Sequence, residues 1–179
     1  MAPDYGSGKQ QQGATLVELV MTIVIISVAI AGVVGAFSLI AGRSADPLNQ
    51  SRAVALSQLY MDEILARKFA DGSPVGGGEV NSVNADCGAA MGPDDVGGFT
   101  ESRDTYDDVD DYNELSGASP QNSEEDPLTG YSGFLVSVTV ACAGTEVGFG
   151  DDYQAKRIDI TITDPSGNDY LFSAYRGNF

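Results

Sequence analysis

From Leu19 to Ala41 the chain carries no charged residue, and its only polar side chains are Thr22, Ser27 and Ser38. At about 1.5 Å per residue, a helix of that length crosses the roughly 30 Å hydrocarbon layer of a bilayer. One carboxylate, Glu18, stands at the start of the run, where an ordinary membrane anchor carries Lys or Arg. A glutamate entering lipid is costly unless something neutralises it, so its position asks for a functional explanation. Within the run, Ala29, Ala31, Gly32, Gly35, Ala36 and Ala41 are small enough to let neighbouring helices approach closely.

The pattern then changes. Ser44-Ala45-Asp46-Pro47 interrupts the apolar run, and the Asp-Pro pair suits the N-cap and first position of a second helix. That helix is expected from Pro47 to Phe69, with Val54, Leu56, Leu59, Tyr60, Ile64, Leu65 and Phe69 as its apolar contacts. Arg52, Asp62, Glu63, Arg67 and Lys68 are expected outside. Asp71-Gly72-Ser73-Pro74 stops it, and Gly76, Gly77 and Gly78 follow. From there to Thr129 the chain shows little periodicity and reads as a long connecting region with one or two short strands.

Alternation returns near the end. Phe134, Val136, Val138, Val140 and Cys142 form one face of a strand, and Ile158, Ile160 and Ile162 form one face of another. The turn Asp164-Pro165-Ser166-Gly167-Asn168 leads into a third strand, Tyr170 to Arg176. Simple turns between three strands predict an antiparallel sheet whose apolar face needs a cover, and the 47–69 helix is the obvious one. The fold class is α+β: a long N-terminal helix with a transmembrane half and an amphipathic half, packed on a small antiparallel head.

Composition narrows the chemistry. The chain has 179 residues, 9 basic and 26 acidic, for a formal charge of −17, which disfavours nucleic acid or an anionic lipid surface as a partner. Between Asp71 and Asp126 lie 15 acidic residues and one base, Arg103. Such acid reads first as a solvated, self-repelling surface suited to a salty medium. Absence of histidine removes the usual general base and imidazole ligand. No serine sits in a Gly-x-Ser-x-Gly elbow and no glycine-rich loop links a strand to a helix, so catalysis is not expected. Cys87 and Cys142 would most simply form one disulfide in an exported domain; two unrelated buried thiols are the alternative.

One acidic stretch invites a cation. In Tyr106-Asp107-Asp108-Val109-Asp110-Asp111-Tyr112 the closely spaced carboxylates of Asp107, Asp108, Asp110 and Asp111 can offer oxygen ligands to Ca²⁺. The spacing is not that of an EF-hand, and an acidic surface loop pinned by two tyrosines explains the residues as well. Asp151 and Asp152 are a weaker pair.

Residues 1–13 are short and polar, and the apolar region follows Gly13 instead of preceding a small-residue cleavage site. Cleavage after Gly13 would remove the leader and leave the hydrophobic helix on the mature chain. Gly13-Ala14-Thr15-Leu16-Val17-Glu18-Leu19 resembles the processing motif of type IV prepilins and related pseudopilins, usually G-F-T-L-I-E-L. The resemblance implies that a prepilin peptidase cuts between Gly13 and Ala14 and methylates the amine of Ala14, with Glu18 as the motif glutamate. The departure is Ala14, where phenylalanine is commonest. Physically, the freed amine on a neighbouring copy's Ala14 is the best cation for Glu18, because an amine stays largely protonated near neutral pH. Such a pair is strong in a low dielectric only when both partners are present, so it favours docking into a staggered bundle.

Downstream, 106–112, Gly130-Tyr-Ser-Gly-Phe134 and Phe172-Ser-Ala-Tyr-Arg-Gly-Asn-Phe179 look like the MSHA (mannose-sensitive haemagglutinin) pilus biogenesis group, minor pilin-like proteins of aquatic Gram-negative bacteria. The resemblance implies a leader at 1–13, a transmembrane and assembly helix at 14–42, its amphipathic continuation at 43–70 and a head at 71–179. Within the head, 71–130 is an acidic loop region and 131–179 the sheet. It also implies an inner-membrane subunit with a periplasmic head, later part of a pilus. Its partners would be other pilin subunits, the peptidase, the assembly platform and, before assembly, membrane lipid. The alternatives are a pseudopilin of type II secretion and a signal-anchored periplasmic binding domain.

Overall fold

The computed structural model describes residues 13, 15–43, 46–88 and 91–179, and the chain divides into two units, 1–46 and 47–179. The first unit is helix α1, Leu16–Arg43. It runs unbroken through Gly32 and Gly35, so neither glycine melts it. Leu16–Ser38 has a mean hydropathy of 2.7, and none of that stretch is buried within the protein. Its hydroxyls are hidden in the helix itself: Thr22 donates to the Glu18 carbonyl, Ser27 to that of Ile23 and Ser38 to that of Val34. Each bond satisfies a polar group that lipid could not, leaving Glu18 as the unusual residue.

The second unit starts with α2, Asp46–Leu65. Ala53, Leu56, Tyr60 and Ile64 recur at helical spacing and are completely buried. Val54 and Leu59, expected as apolar contacts, lie on the flank and are partly exposed. The helix covers one face of a sheet ordered β3-β4-β5, where β3 is Leu135–Cys142, β4 is Ala155–Thr163 and β5 is Asp169–Gly177. Both pairings are antiparallel, with Val138 opposite Ile160 and Ile160 opposite Phe172. That register puts Val136, Val138, Val140, Ile158, Ile160 and Ile162 on the buried face. Each buried aliphatic side chain contributes about 1.5–3 kcal/mol against exposure. At the β4–β5 turn, Gly167 takes a φ of +82°, and the buried Asp164 carboxylate accepts the N–H groups of Ser166 and Asn168.

Three expectations need correction. The second helix stops at Leu65, not Phe69. Lys68 instead pairs its backbone with the acidic stretch, donating N–H to the Asp107 carbonyl and accepting from Val109 N–H. Phe69 leaves the helix line and joins Ala70, Val80 and Ala85 in a smaller buried cluster. Second, 71–130 holds short strands as expected, the hairpin β1–β2 of Asp95–Val96 with Phe99–Thr100, but it is more than a connector, because it delivers Tyr106, Val109 and Tyr112 to the main core.

What carries this acidic region inward is paired charge. Arg103, 4% exposed, makes a two-pronged contact with Glu63 (Nε–Oε1 3.2 Å, Nη2–Oε2 2.8 Å) and stacks over the Tyr60 ring at 4.2 Å. Glu63 is therefore turned inward, against the expectation that it faces solvent, and also accepts the Tyr112 hydroxyl at 2.8 Å. Lys156 is fully buried on β4, donates to the Phe69 carbonyl at 2.8 Å and forms an ion pair with Asp110. Cys87 and Cys142 are joined in a disulfide, with Cα atoms 5.8 Å apart and a sequence separation of 55. Closing a loop of that size restricts the unfolded chain by about 4 kcal/mol in the chain-entropy account.

Removing one partner of a buried pair strands the other, so Lys156→Ala is expected to lower unfolding free energy by about 3–5 kcal/mol. Arg157 pairs with Glu146 and Asp159 at the surface, so Arg157→Ala should cost about 1 kcal/mol or less. Denaturant titration of the two variants, followed by tyrosine fluorescence, checks the ranking. Equal losses would contradict it.

Candidate functional site

The first candidate lies at the start of α1. Thr15 precedes the helix, and its Oγ1 accepts the Glu18 N–H at 3.3 Å. This is half of a Thr-x-x-Glu capping arrangement, a signal present in Thr15-Leu-Val-Glu18 and beyond the sequence reading above. Glu18 falls in the first turn, where the positive end of the helix dipole favours a carboxylate. Its side chain is exposed and engages no described residue. Gly13 is exposed and lies outside any helix or strand; Ala14 lies outside the described residues.

The second candidate is the 106–112 segment. It is not a solvated loop: Asp108, Asp110 and Asp111 are buried. Asp111 Oδ2 accepts the N–H groups of Asp107 and Asp108, and Asp108 Oδ1 accepts those of Asp110 and Asp111. These reciprocal bonds wind 110–114 into a short 3₁₀ turn. Asp107 is held by Lys68 at 2.5 Å and Asp110 by Lys156.

The four candidate ligands do not converge on one point. They are shared among three carboxylate groups: Asp71–Asp107–Asp108, Asp86–Asp108–Asp110 and Asp94–Glu101–Asp111, within each of which the ligand atoms lie inside 4.8 Å. Asp71, Asp86, Asp94 and Glu101 come from distant parts of the chain, so no local spacing signals them. The Cys87–Cys142 bond anchors the chain directly after Asp86, which reaches this patch with a φ of +47°.

The crowding shows in the acidities. Burial, then the charges of Asp110 and Asp111, push the Asp108 carboxyl up to about 8 despite Lys156. Burial and the facing Asp111 and Asp107 raise Glu101 to about 7, and burial with a hydrogen bond to Asp71 raises Asp94 to about 6. Asp164 goes the other way: its backbone and Asn168 bonds outweigh desolvation and lower it.

The remaining question is what kind of chain presents such a helix and head. Residues 8–34 match the family model described as the prokaryotic N-terminal methylation motif. No curated protein and no solved structure matches the chain. The motif, the long apolar helix and the small antiparallel sheet give an α+β, pilin-like layout. They support a type IV pilin-like or pseudopilin-like protein processed by prepilin peptidase, a class whose work is structural.

An unfolded carboxyl titrates near 4. From about pH 4 upward the folded protein therefore holds protons that the unfolded chain has lost, on Asp94 to about pH 6, on Glu101 to about 7 and on Asp108 to about 8. Their contribution is complete at the acid end and vanishes as pH rises through the raised values. Melting temperature in chelator-containing buffer is expected to fall from about pH 5 to about pH 8. A rise over that interval would contradict the assignment.

Proposed function

We propose that the protein is a minor type IV pilin of the MSHA kind, cut between Gly13 and Ala14, methylated on Ala14 and built into a pilus as a structural subunit at its initiating or tip end. The observation that carries the reading is the uninterrupted apolar helix with one carboxylate, Glu18, in its first turn, inside a matched methylation motif. Before assembly the helix spans the inner membrane with the head in the periplasm; afterwards the subunit belongs to the cell surface. Each hydroxyl of the span is satisfied inside the helix, so Glu18 is left to seek a partner on another chain. The new amine of an adjoining pilin subunit is the cation of matching depth. The MSHA assignment rests on the downstream segments at 106–112, 130–134 and 172–179, and the tip position on the logic of a sparse subunit.

The carboxylate patch supports a second proposal, hard-cation binding. Oxygen donors at this density suit Ca²⁺. Asp108, which belongs to two of the three groups, is the residue such an ion would engage first. Added Ca²⁺ should flatten the alkaline arm of the pH series; an unchanged series would leave these acids to the lysines and backbone alone.

Glu18→Ala is expected to leave cleavage after Gly13 largely intact while impairing entry into fibres. The check is the amount of cleaved protein in membranes and in sheared fibres. Normal incorporation of the variant would sink the paired-charge account, and loss of pili or of protein secretion on deletion separates a pilin from a type II pseudopilin.

A further inference from the structure

The end of the sheet holds a cation without a partner. Arg176 lies opposite Lys156 in the β4–β5 register, on the same row of the sheet as the buried isoleucines. Lys156 is claimed by Asp110 and the Phe69 carbonyl. Arg176 is half-buried, its Nε is sealed from water with no hydrogen bond, and no ion pair reaches its guanidinium among the described residues. A buried N–H of a charged group left unpaired is destabilising.

Arg176 lines a cavity of about 280 Å³. The cavity exists because α2 ends at Leu65 and the chain then crosses the sheet end as a loop. Of the other two cations on its wall, Lys68 is paired with Asp107, and Arg67 lies beside the Tyr112 hydroxyl, which donates to Glu63. Opposite runs Gly76-Gly77-Gly78, with φ of +98°, +90° and +141°, a conformation open to glycine and one that leaves no side chain across the mouth. Val75 and Phe179 stand exposed at the rim.

We infer that this cavity is a socket for one carboxylate carried on a short aliphatic stem, the glutamate side chain of an adjoining pilin-type subunit. The guanidinium fork matches a carboxylate in two-pronged geometry. Val75, Phe69 and Phe179 give the stem apolar walls. The chain's overall charge of −17 disfavours a polyanion, and Lys68 on the wall is already paired with Asp107, so a single carboxylate suits the site. The choice of a neighbouring subunit rests on the function proposed above.

The test has two arms, both on the full chain. In detergent micelles, ¹⁵N spectra of arginine Nε–H groups are followed while a capped tripeptide with a central glutamate is added, and then its glutamine counterpart. The glutamate peptide should shift the Arg176 signal saturably and the glutamine peptide should not; Arg176→Gln should abolish the effect and Arg52→Gln, on the exposed face of α2, should not. In cells, Arg176→Gln should reduce recovery in sheared fibres by about tenfold, equivalent to about 1.4 kcal/mol, with cleavage after Gly13 unchanged. No saturable shift, or a shift that persists in Arg176→Gln, overturns the socket. Binding with normal fibre content overturns the subunit as its source. An uncleaved N-terminus overturns the pilin reading instead, and the peptide arm still decides the socket.

Discussion

A lysine ammonium buried completely beneath an acidic segment is the constraint on which the head depends. Lys156 joins three pieces of chain: strand β4, the Phe69 carbonyl just past helix α2, and Asp110 of the 106–112 segment. Desolvating an ammonium costs several kcal/mol, and only a well-placed carboxylate and carbonyl offset it. Arg103 repeats the arrangement a short distance away, locking Glu63, Tyr60 and Tyr112 together. Two cations thus convert a strongly acidic stretch, which by composition alone would repel itself into solvent, into the third wall of the core.

This explains where the sequence was legible and where it was not. Period-two alternation at 134–142 and 158–162, and the Asp164–Asn168 turn, announced the sheet, because one buried face imposes that pattern directly. The apolar helix was equally plain. The acidic region was opaque for a physical reason: its burial depends on Lys156 and Arg103, whose partners lie 46 and 40 residues away in sequence. Asp107, Asp108, Asp110 and Asp111 were visible as a cluster, but tertiary folding divides them among three groups completed by Asp71, Asp86, Asp94 and Glu101. Arg176 carried no signal at all, since its distinction is the lack of a partner among the described residues in three dimensions.

The two units solve opposite electrostatic problems. The head surrounds itself with charge and holds its buried lysine and Arg103 in ion pairs, while buried Asp108, Asp111 and Asp164 are held by hydrogen bonds. The helix excludes charge along its whole span, hides each hydroxyl against a carbonyl one turn back and retains one carboxylate at its first turn. No described residue neutralises Glu18, and under the proposed function the amine freed on a neighbouring subunit would supply its partner. Processing and assembly would then be linked by charge, because the cut that removes the polar leader would also create the cation.

Intact mass of the native protein extracted from membranes tests that link most directly. The account predicts a chain beginning at Ala14 and carrying one added methyl group on its amine. A native chain that still holds the residues before Gly13 would contradict it, because the amine on which the pairing depends would never have formed.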